Sequence, residues 1–574
     1  FPSIPLHWGE ERFLHIQSVT GEGNMPLVKS RSYYISVTDA VLREAADSQA
    51  AARNHLIFGD WLRYEGEETT DWARVKCRGD QGWLKKSQFS ENRVLEVNFI
   101  DIGQGDGCHI VTPDDEIFLI DSGEGDNMFR FLNWRYNLRG RKVAGVDGAV
   151  AGQPGVGSPL AIHHAVISHP DSDHYHGFKP LFASPKIQIQ NIYHNGIAER
   201  PIKAADKVPG LSYPSGDDLG GYVKTADGDT YLWDVVASNS QLHALVDQHK
   251  TTTKFYLSTL CAAVENNPAV KFTTLNKELA YVPGFGEDQA LTLKLLGPVT
   301  ERITWGNQTR DALLKLGNEG VTKNGHSVII QLQFGRLKVM LGGDLNTESE
   351  DYLFKQYCGT QHDVSQLEKD IGILRAQGGS LSDADRQELQ EMEAELETII
   401  VKARGHFHAD ITKACHHGSH HFSESFLKAI NAIVTVVSSG DDESYAHPRP
   451  DALGSFGKYG RGVRPLIFST ELARNTREFT QVWQYFEQLK AYETALAAAA
   501  TAAEKTRLTR QMQEKKDRNV AVYGMITLRT NGEKVVMAQK LEVSGGNDNK
   551  WDIHELWFNP LTGELEYIVS AKHD

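Results

Sequence analysis

Between Tyr33 and about Phe89, apolar and polar residues alternate in short runs around Gly-Asp turns, the period-two pattern of half-buried antiparallel strands in a small all-β barrel. From Arg93 the pattern changes. VLEVNFIDIGQGDGCHIVTPDDEIFLIDSGEG reads as a buried strand, a glycine-rich turn, a second strand, a polar hairpin turn at Asp114-Asp115 and a third strand ending in Asp121. A further apolar strand runs from His163 to His169. SVIIQLQFGRLKVMLGGD gives two strands joined at Gly335-Arg336, and ADITKACHHGS and NAIVTVVSSG give two more, with the helix SESFLKAI between them. Strands alternating with helices predict an α/β layered domain over residues 93–470, preceded by an N-terminal unit, 1–92, that contains the barrel.

Two stretches interrupt the alternation. Residues from about 197 to 288 carry Gly/Asp-rich loops around a helical part from Ser238 to Val264, and predict a cap beside an active site. Residues from about 361 to 403 space apolar side chains at helical intervals among many charges, the pattern of a helical hairpin. Beyond residue 470, a long charged helix with an alanine run and two hairpin patterns predict a separate C-terminal region, 471–574.

A chain of 574 residues is too long for one hydrophobic core. Its formal charge of −15 argues against coating nucleic acid by bulk electrostatics, though a local basic groove is compatible with it. No run of about 18 apolar residues occurs, so membrane insertion is not expected. Cys77, Cys108, Cys261, Cys358 and Cys415 are scattered, odd in number and without C-x-x-C spacing, which favours reduced thiols and a cytoplasmic location. The chain opens at Phe1 without an initiator Met, an opening that a removed signal peptide also gives, so secretion stays open beside the cytoplasm.

The barrel segment resembles bacterial Src-homology-3-like (SH3-like) domains through Gly59-Asp60, Trp72 to Val75 and Gly82-Trp83-Leu84. That resemblance implies a ligand-binding module with exposed aromatics. The competing reading, which we favour at this point, has Trp61, Trp72 and Trp83 filling the barrel core.

The densest chemical signal is SHPDSDHYHG. His169, Asp171, Asp173 and His174 stand at i, i+2, i+4 and i+5 directly after an apolar strand, so alternate residues can serve one ion while their neighbours reach a second. The segment resembles the His-x-His-x-Asp-His motif of the metallo-β-lactamase superfamily, whose fold is an αββα sandwich, here with helical insertions. It departs from that motif at Asp171, where a second His is usual; a carboxylate hardens the site and makes manganese a competitor to zinc. The resemblance implies two divalent metal ions, zinc first and manganese second. It places Asp344, in LGGD, as the shared carboxylate. His326, 344 − 326 = 18 residues earlier, stands as the third His, and His447, in SYAHP, as the final ligand. One ion then belongs to His169, Asp171 and His326, the other to Asp173, His174 and His447.

His416-His417-Gly418-Ser419, together with FIDIGQGD, LIDSG, LGGD and YAHP, resembles the subgroup that holds the competence-channel hydrolase domain and phosphorylcholine esterase. That likeness implies that His417, and with it His416, borders the metals to contact a phosphate or protonate a leaving group; support of the loop is an equal expectation for His416. Asp106 and Asp121 are expected to orient ligand histidines, with a purely structural turn at Gly103 to Gly107 as the alternative. The glycine-rich turn lacks the Lys-Ser/Thr of a phosphate loop and the context of a dinucleotide fingerprint.

These residues predict a dinuclear hydrolase, first a phosphodiesterase or nuclease acting on nucleic acid or a nucleotide, with Asp173 orienting a hydroxide. Hydrolysis of amide, lactam or thioester bonds is the alternative, and a partner-binding scaffold with a degenerate metal site is the third reading. A nucleic-acid channel would draw on Lys203, Lys207, Lys250, Lys254 and Tyr256, whose scatter reads better as solvated surface. A protein partner or a second copy is expected to meet the SH3-like unit or the long helix.

Overall fold

The computed structural model describes residues 26–29, 31–251, 255–440, 446–470, 482–517, 524–541, 545–567 and 569. The chain is mixed α/β, built on several sheets with helices between and around them.

The N-terminal strands, from Ser32–Ile35 to Phe89–Ser90, form one seven-stranded antiparallel sheet around a core of Tyr33, Ile35, Leu42, Leu56, Leu62, Val75 and Leu84. The three tryptophans are not in that core. Period two sends Leu62, Ala73, Val75 and Leu84 inward, so their neighbours Trp61, Trp72 and Trp83 face out, Trp61 with 48% of its surface exposed.

Two larger sheets make the body. A ten-stranded sheet runs in the order Lys271–Thr274, Ile187–His194, Leu160–Ile167, Ile117–Ile120, Cys108–Val111, Leu95–Phe99, Ile526–Thr530, Lys534–Lys540, Trp551–Phe558, Leu565–Tyr567. A six-stranded sheet runs Leu291–Gly297, Ile329–Phe334, Leu337–Leu341, Ile411–Lys413, Val434–Val437, Leu466–Ser469. Val97, Ile110 and Phe118 of the first meet Leu293, Leu332, Val339 and Val434 of the second in one apolar core. Each such buried apolar side chain contributes roughly 1.5–3 kcal/mol. Helices Asn127–Tyr136, Phe178–Phe182, Asn239–Gln248 and Phe255–Asn266 cover the outer face of the ten-stranded sheet. Helices Thr347–Cys358, Val364–Gln377, Asp383–Phe407 and Glu424–Ile430 cover that of the six-stranded one.

Three expectations shift. The C-terminal hairpins are not a separate region: Ile526–Thr530 pairs with Leu95–Phe99 and completes the larger sheet, a long-range pairing that no local pattern announces. The helices of the 197–288 stretch cover the sheet's outer face, and its last strand, Lys271–Thr274, joins that sheet's edge; its strands Tyr222–Lys224 and Thr230–Leu232 combine instead with Gln308–Leu314 and Glu301–Trp305, from beyond the stretch, in a four-stranded sheet. The long C-terminal helix is two helices, Val482–Ala498 and Ala502–Asp517, its predicted start at 471–481 lying outside the described residues. Residues 361–403 do form the expected hairpin, Val364–Gln377 against Asp383–Phe407. Among the described residues no helix is long and apolar enough to cross a membrane.

Candidate metal centre

Parallel strands of both sheets end at one edge of the body, and the chemistry-bearing residues follow those ends. Asp121 follows Ile117–Ile120, His169 follows Leu160–Ile167, Asp344 follows Leu337–Leu341 and the His416-His417 pair follows Ile411–Lys413. Carboxyl ends of parallel strands are where α/β sheets collect ligands, because the chain must turn there and its side chains converge.

The turns are tight and specific. Gly105, at φ +102°, lies so close to the Asp173 carbonyl that a Cβ there would sit 1.8 Å from the oxygen, so the glycine-rich turn lets the two loops approach each other. His416 and His417 both hold left-handed backbone, at φ 48° and 54°, which non-glycine residues adopt at a cost and which recurs at functional sites.

The side chains of Asp173, His174, Asp344 and His417 meet. His174 Nε2 is 3.2 Å from Asp344 Oδ2 and 3.8 Å from Asp173 Oδ1. His417 Nε2 is 3.2 Å from the same Asp344 oxygen and 3.5 Å from Asp173 Oδ2. Each ring's other nitrogen is held from behind. His174 Nδ1 lies 2.9 Å from Asp121 Oδ2, and Asp121 Oδ1 accepts from the Ser168 N–H at 2.7 Å. His417 Nδ1 lies 3.1 Å from the Ser438 carbonyl and 3.2 Å from Asp106 Oδ1. Carboxylate or carbonyl partners at Nδ1 fix the tautomer that presents Nε2. His169 adds a third imidazole, its ring 4.1 Å from that of His174, with a ligand atom in a common group with His174 and Asp344.

Burial works against charge in this cluster, and the mutual field decides the outcome. His174 and His417 are desolvated, yet Asp344 in front and Asp121 or Asp106 behind raise both well above the usual imidazole range. Asp344 and Asp173 are held below the usual carboxylate range by those two rings, despite burial. His169 is pushed well below its usual range by burial and by His174. Lys413, fully buried, ion-pairs with Asp106 and donates to the Gly343 carbonyl at 3.0 Å, which keeps its ammonium charged. The Nε2 atoms of His174 and His417 and Asp344 Oδ1 are buried without a hydrogen-bond partner. Buried polar atoms of this kind are rare and costly, and together they form a donor set that fits a cation of the zinc or manganese class.

The other expected site residues fall differently. Asp171, Asp173, Asp344, His416, His417 and His447 line one open cavity of about 200 Å³. His416 Nε2 stays 3.9 Å from Asp344, and the His447 ring stacks 6.3 Å from that of His417; neither offers an atom to the converging groups among the described residues. His326 is turned away. Its Nε2–H donates to the Leu314 carbonyl at 2.7 Å, its ring packs edge-on to Tyr352, and burial pushes it down to about 4. Sequence spacing singled out His326, whereas the turn after Glu319–Gly325 carries Ser327 toward His169 Nδ1, at 3.2 Å. His417 stands where His447 was expected. Sequence reasoning also missed Lys413 and Lys323, since a single lysine in a strand or a short polar helix reads as a surface residue. Of the proposed channel residues, Tyr256 is fully buried, Lys203, Lys207 and Lys250 are exposed, and Lys254 lies outside the described residues.

Compared with known proteins, the chain matches no family model and no curated protein sequence.

Proposed function

We propose that this chain is a metal-dependent hydrolase of the metallo-β-lactamase type, an αββα sandwich joined to an SH3-like N-terminal unit, and that it cleaves phosphodiesters. The observation that carries the reading is the convergence of Asp173, His174, Asp344 and His417, the Nε2 atoms of both rings making no hydrogen bond and lying 3.2 Å from the same Asp344 oxygen. Two packed sheets with helices outside, and a site at the carboxyl ends of their parallel strands, support the fold assignment.

Asp173, His174, Asp344 and His417 would hold a divalent ion, with His169 beside them. Such an ion, when bound, supplies Lewis-acid activation of water and neutralises charge on a phosphoryl group. The protein's part is positional. Asp121 and Asp106 fix the two rings; Asp173, at the cavity wall, is placed to accept a hydrogen bond from the attacking water and align it. His416 and His447, lowered by burial, are neutral imidazoles at the mouth, where their N–H groups suit a phosphoryl oxygen or a leaving oxygen. A small cavity in a chain of formal charge −15 favours a small phosphodiester over a long polyanion.

The test is metal content by elemental analysis, followed on the same protein by hydrolysis of bis(p-nitrophenyl) phosphate with added Zn²⁺ or Mn²⁺. Bound metal with chelator-sensitive cleavage is the expected result. Metal without cleavage would move the reading to amide or thioester hydrolysis, and protein that takes up no metal would sink it.

A further inference from the structure

Asp171 differs from Asp173 and Asp344 in facing an ammonium and an amide rather than the His174 and His417 rings. Oδ1 accepts from the Ser172 N–H at 3.0 Å and faces Lys323 Nζ at 3.3 Å. With the Asn324 amide oriented to satisfy its neighbours, its nitrogen donates to Asp171 Oδ2 at 3.3 Å and to the Gly320 carbonyl at 3.1 Å. Lys323 is itself enclosed, its side chain 11% exposed, with Glu199 at 4.0 Å and Glu319 on the same short helix adding to the field on its ammonium. The next histidine, His326, is spent on the Leu314 carbonyl. Among the described residues, neither Asp171 nor His326 contributes to any group of converging ligand atoms, whereas His169 and Asp344 do.

We propose that Lys323 stands in for the second cation of this centre. Resting on the functional reading above, the site holds one divalent ion tightly through Asp173, His174, Asp344 and His417, and the Lys323 ammonium occupies the charge position beside Asp171. An ion entering that corner must displace an ammonium paired with Asp171 and, at longer range, Glu199, and would gain only His169 and a share of Asp344 besides Asp171. The substitution divides two tasks that paired metals share. An ammonium can neutralise a phosphoryl oxygen by charge and N–H donation, but it has no vacant orbital with which to bind and acidify water. Water activation would therefore be left to the one tight ion, with Lys323 supplying fixed positive charge behind Asp171 at the cavity wall.

Calorimetric titration of the chelator-stripped full chain with Zn²⁺ tests this without recourse to activity. The expected isotherm has one tight equivalent and a second about 100-fold weaker or more. Lys323→Met, which keeps the apolar stem and removes the charge, should tighten the second equivalent by about tenfold or more, whereas Lys323→Arg should leave it weak. Asp171→Asn should leave the first equivalent unchanged, and this arm holds even if Lys323→Met fails to fold. Two equivalents of equal affinity in the unaltered chain, or loss of the tight one in Asp171→Asn, would overturn the role of Lys323 while leaving the hydrolase reading in place. Absence of any tight equivalent would overturn both.

Discussion

Glu96 and Asp344 are both carboxylates almost out of contact with water, 5% and 2% exposed, yet their cationic partners differ in kind. Glu96 Oε1 accepts from Asn98 at 2.8 Å, and Oε2 meets Arg135 at 2.7 Å and Arg529 at 3.0 Å. Arg529 Nε also donates to Thr527, and Asp60, at the turn of the N-terminal sheet, is held by Arg78 at 2.5 Å with Arg529 behind it at 3.9 Å. These cations are guanidiniums, which keep their protons at any working pH. Asp344 faces two imidazoles, whose protons are removable, with the Lys413 ammonium at 3.7 Å. The first cluster is permanent charge that ties the N-terminal sheet to the body. The second is charge that can be given up as protons, and that difference, rather than burial, is what the proposed metal centre rests on.

Breaking each cluster at its carboxylate sharpens the contrast. Asp344→Ala should reduce bound metal to background and hydrolysis by on the order of 10⁴-fold. Its cost in unfolding of the chelator-treated protein should be smaller than that of breaking the Glu96 cluster, because His174 and His417 can shed their protons once the carboxylate is gone. Elemental analysis and a thermal melt on the same sample decide this; retained metal would refute the ligand set. Glu96→Gln is the converse. It strands Arg529 and Arg135 in the interior, with no proton to give up, and should cost about 3–5 kcal/mol in denaturant unfolding while leaving the metal per folded chain unchanged.

Proton linkage separates the clusters again. The folded state raises His174 and His417 well above the ordinary imidazole value, so each contributes stability that is fully present below about pH 6.5 and is lost as pH rises through the raised folded value. Chelator-treated protein should therefore weaken as pH is raised from about 6.5, and binding of one ion should release about two protons, with apparent affinity growing up to about 100-fold per pH unit. Glu96 is held far below the carboxylate range against its own burial, so its contribution is present above about pH 4.3 and is lost only on acidification through the folded value. Proton release measured in two buffers of different ionisation heat checks the stoichiometry; a pH-independent affinity would show that neither ring starts protonated.

Much of the centre was legible because its residues sit at strand ends, where an apolar run stops on a ligand-type side chain: Asp121, His169, Asp344 and the His416-His417 pair all follow that rule. Short apolar runs between turns likewise located many strands of the two body sheets. What escaped was everything settled by pairing between distant segments. The hairpins after residue 524 enter the ten-stranded sheet through contacts with residues 95–99, and Lys413 meets Asp106 across 413 − 106 = 307 positions. The tryptophans of the N-terminal sheet misled by size: their alternation with Leu62, Val75 and Leu84 already indicated the outer face. His417 and His447 exchanged places because which of two nearby rings reaches Asp344 depends on a left-handed turn that histidines do not signal.

His326 gives the finest discrimination, since motif spacing and geometry assign it opposite roles. Burial keeps its ring neutral at pH 7, so one nitrogen carries a hydrogen, and Nε2 uses it on the Leu314 carbonyl at the end of the strand Gln308–Leu314. That bond ties the four-stranded sheet to the turn that carries Ser327 to His169. His326→Gln keeps an N–H of similar reach and should cost about 1 kcal/mol in unfolding free energy, the worth of one imperfectly replaced hydrogen bond. Metal affinity should stay within about twofold of the unaltered chain, far short of the 10- to 100-fold loss that follows damage to a ligand's support. A calorimetric titration that lost an equivalent of Zn²⁺ in this variant would return His326 to the ligand set, and with it the paired-ion arrangement that Lys323 otherwise replaces.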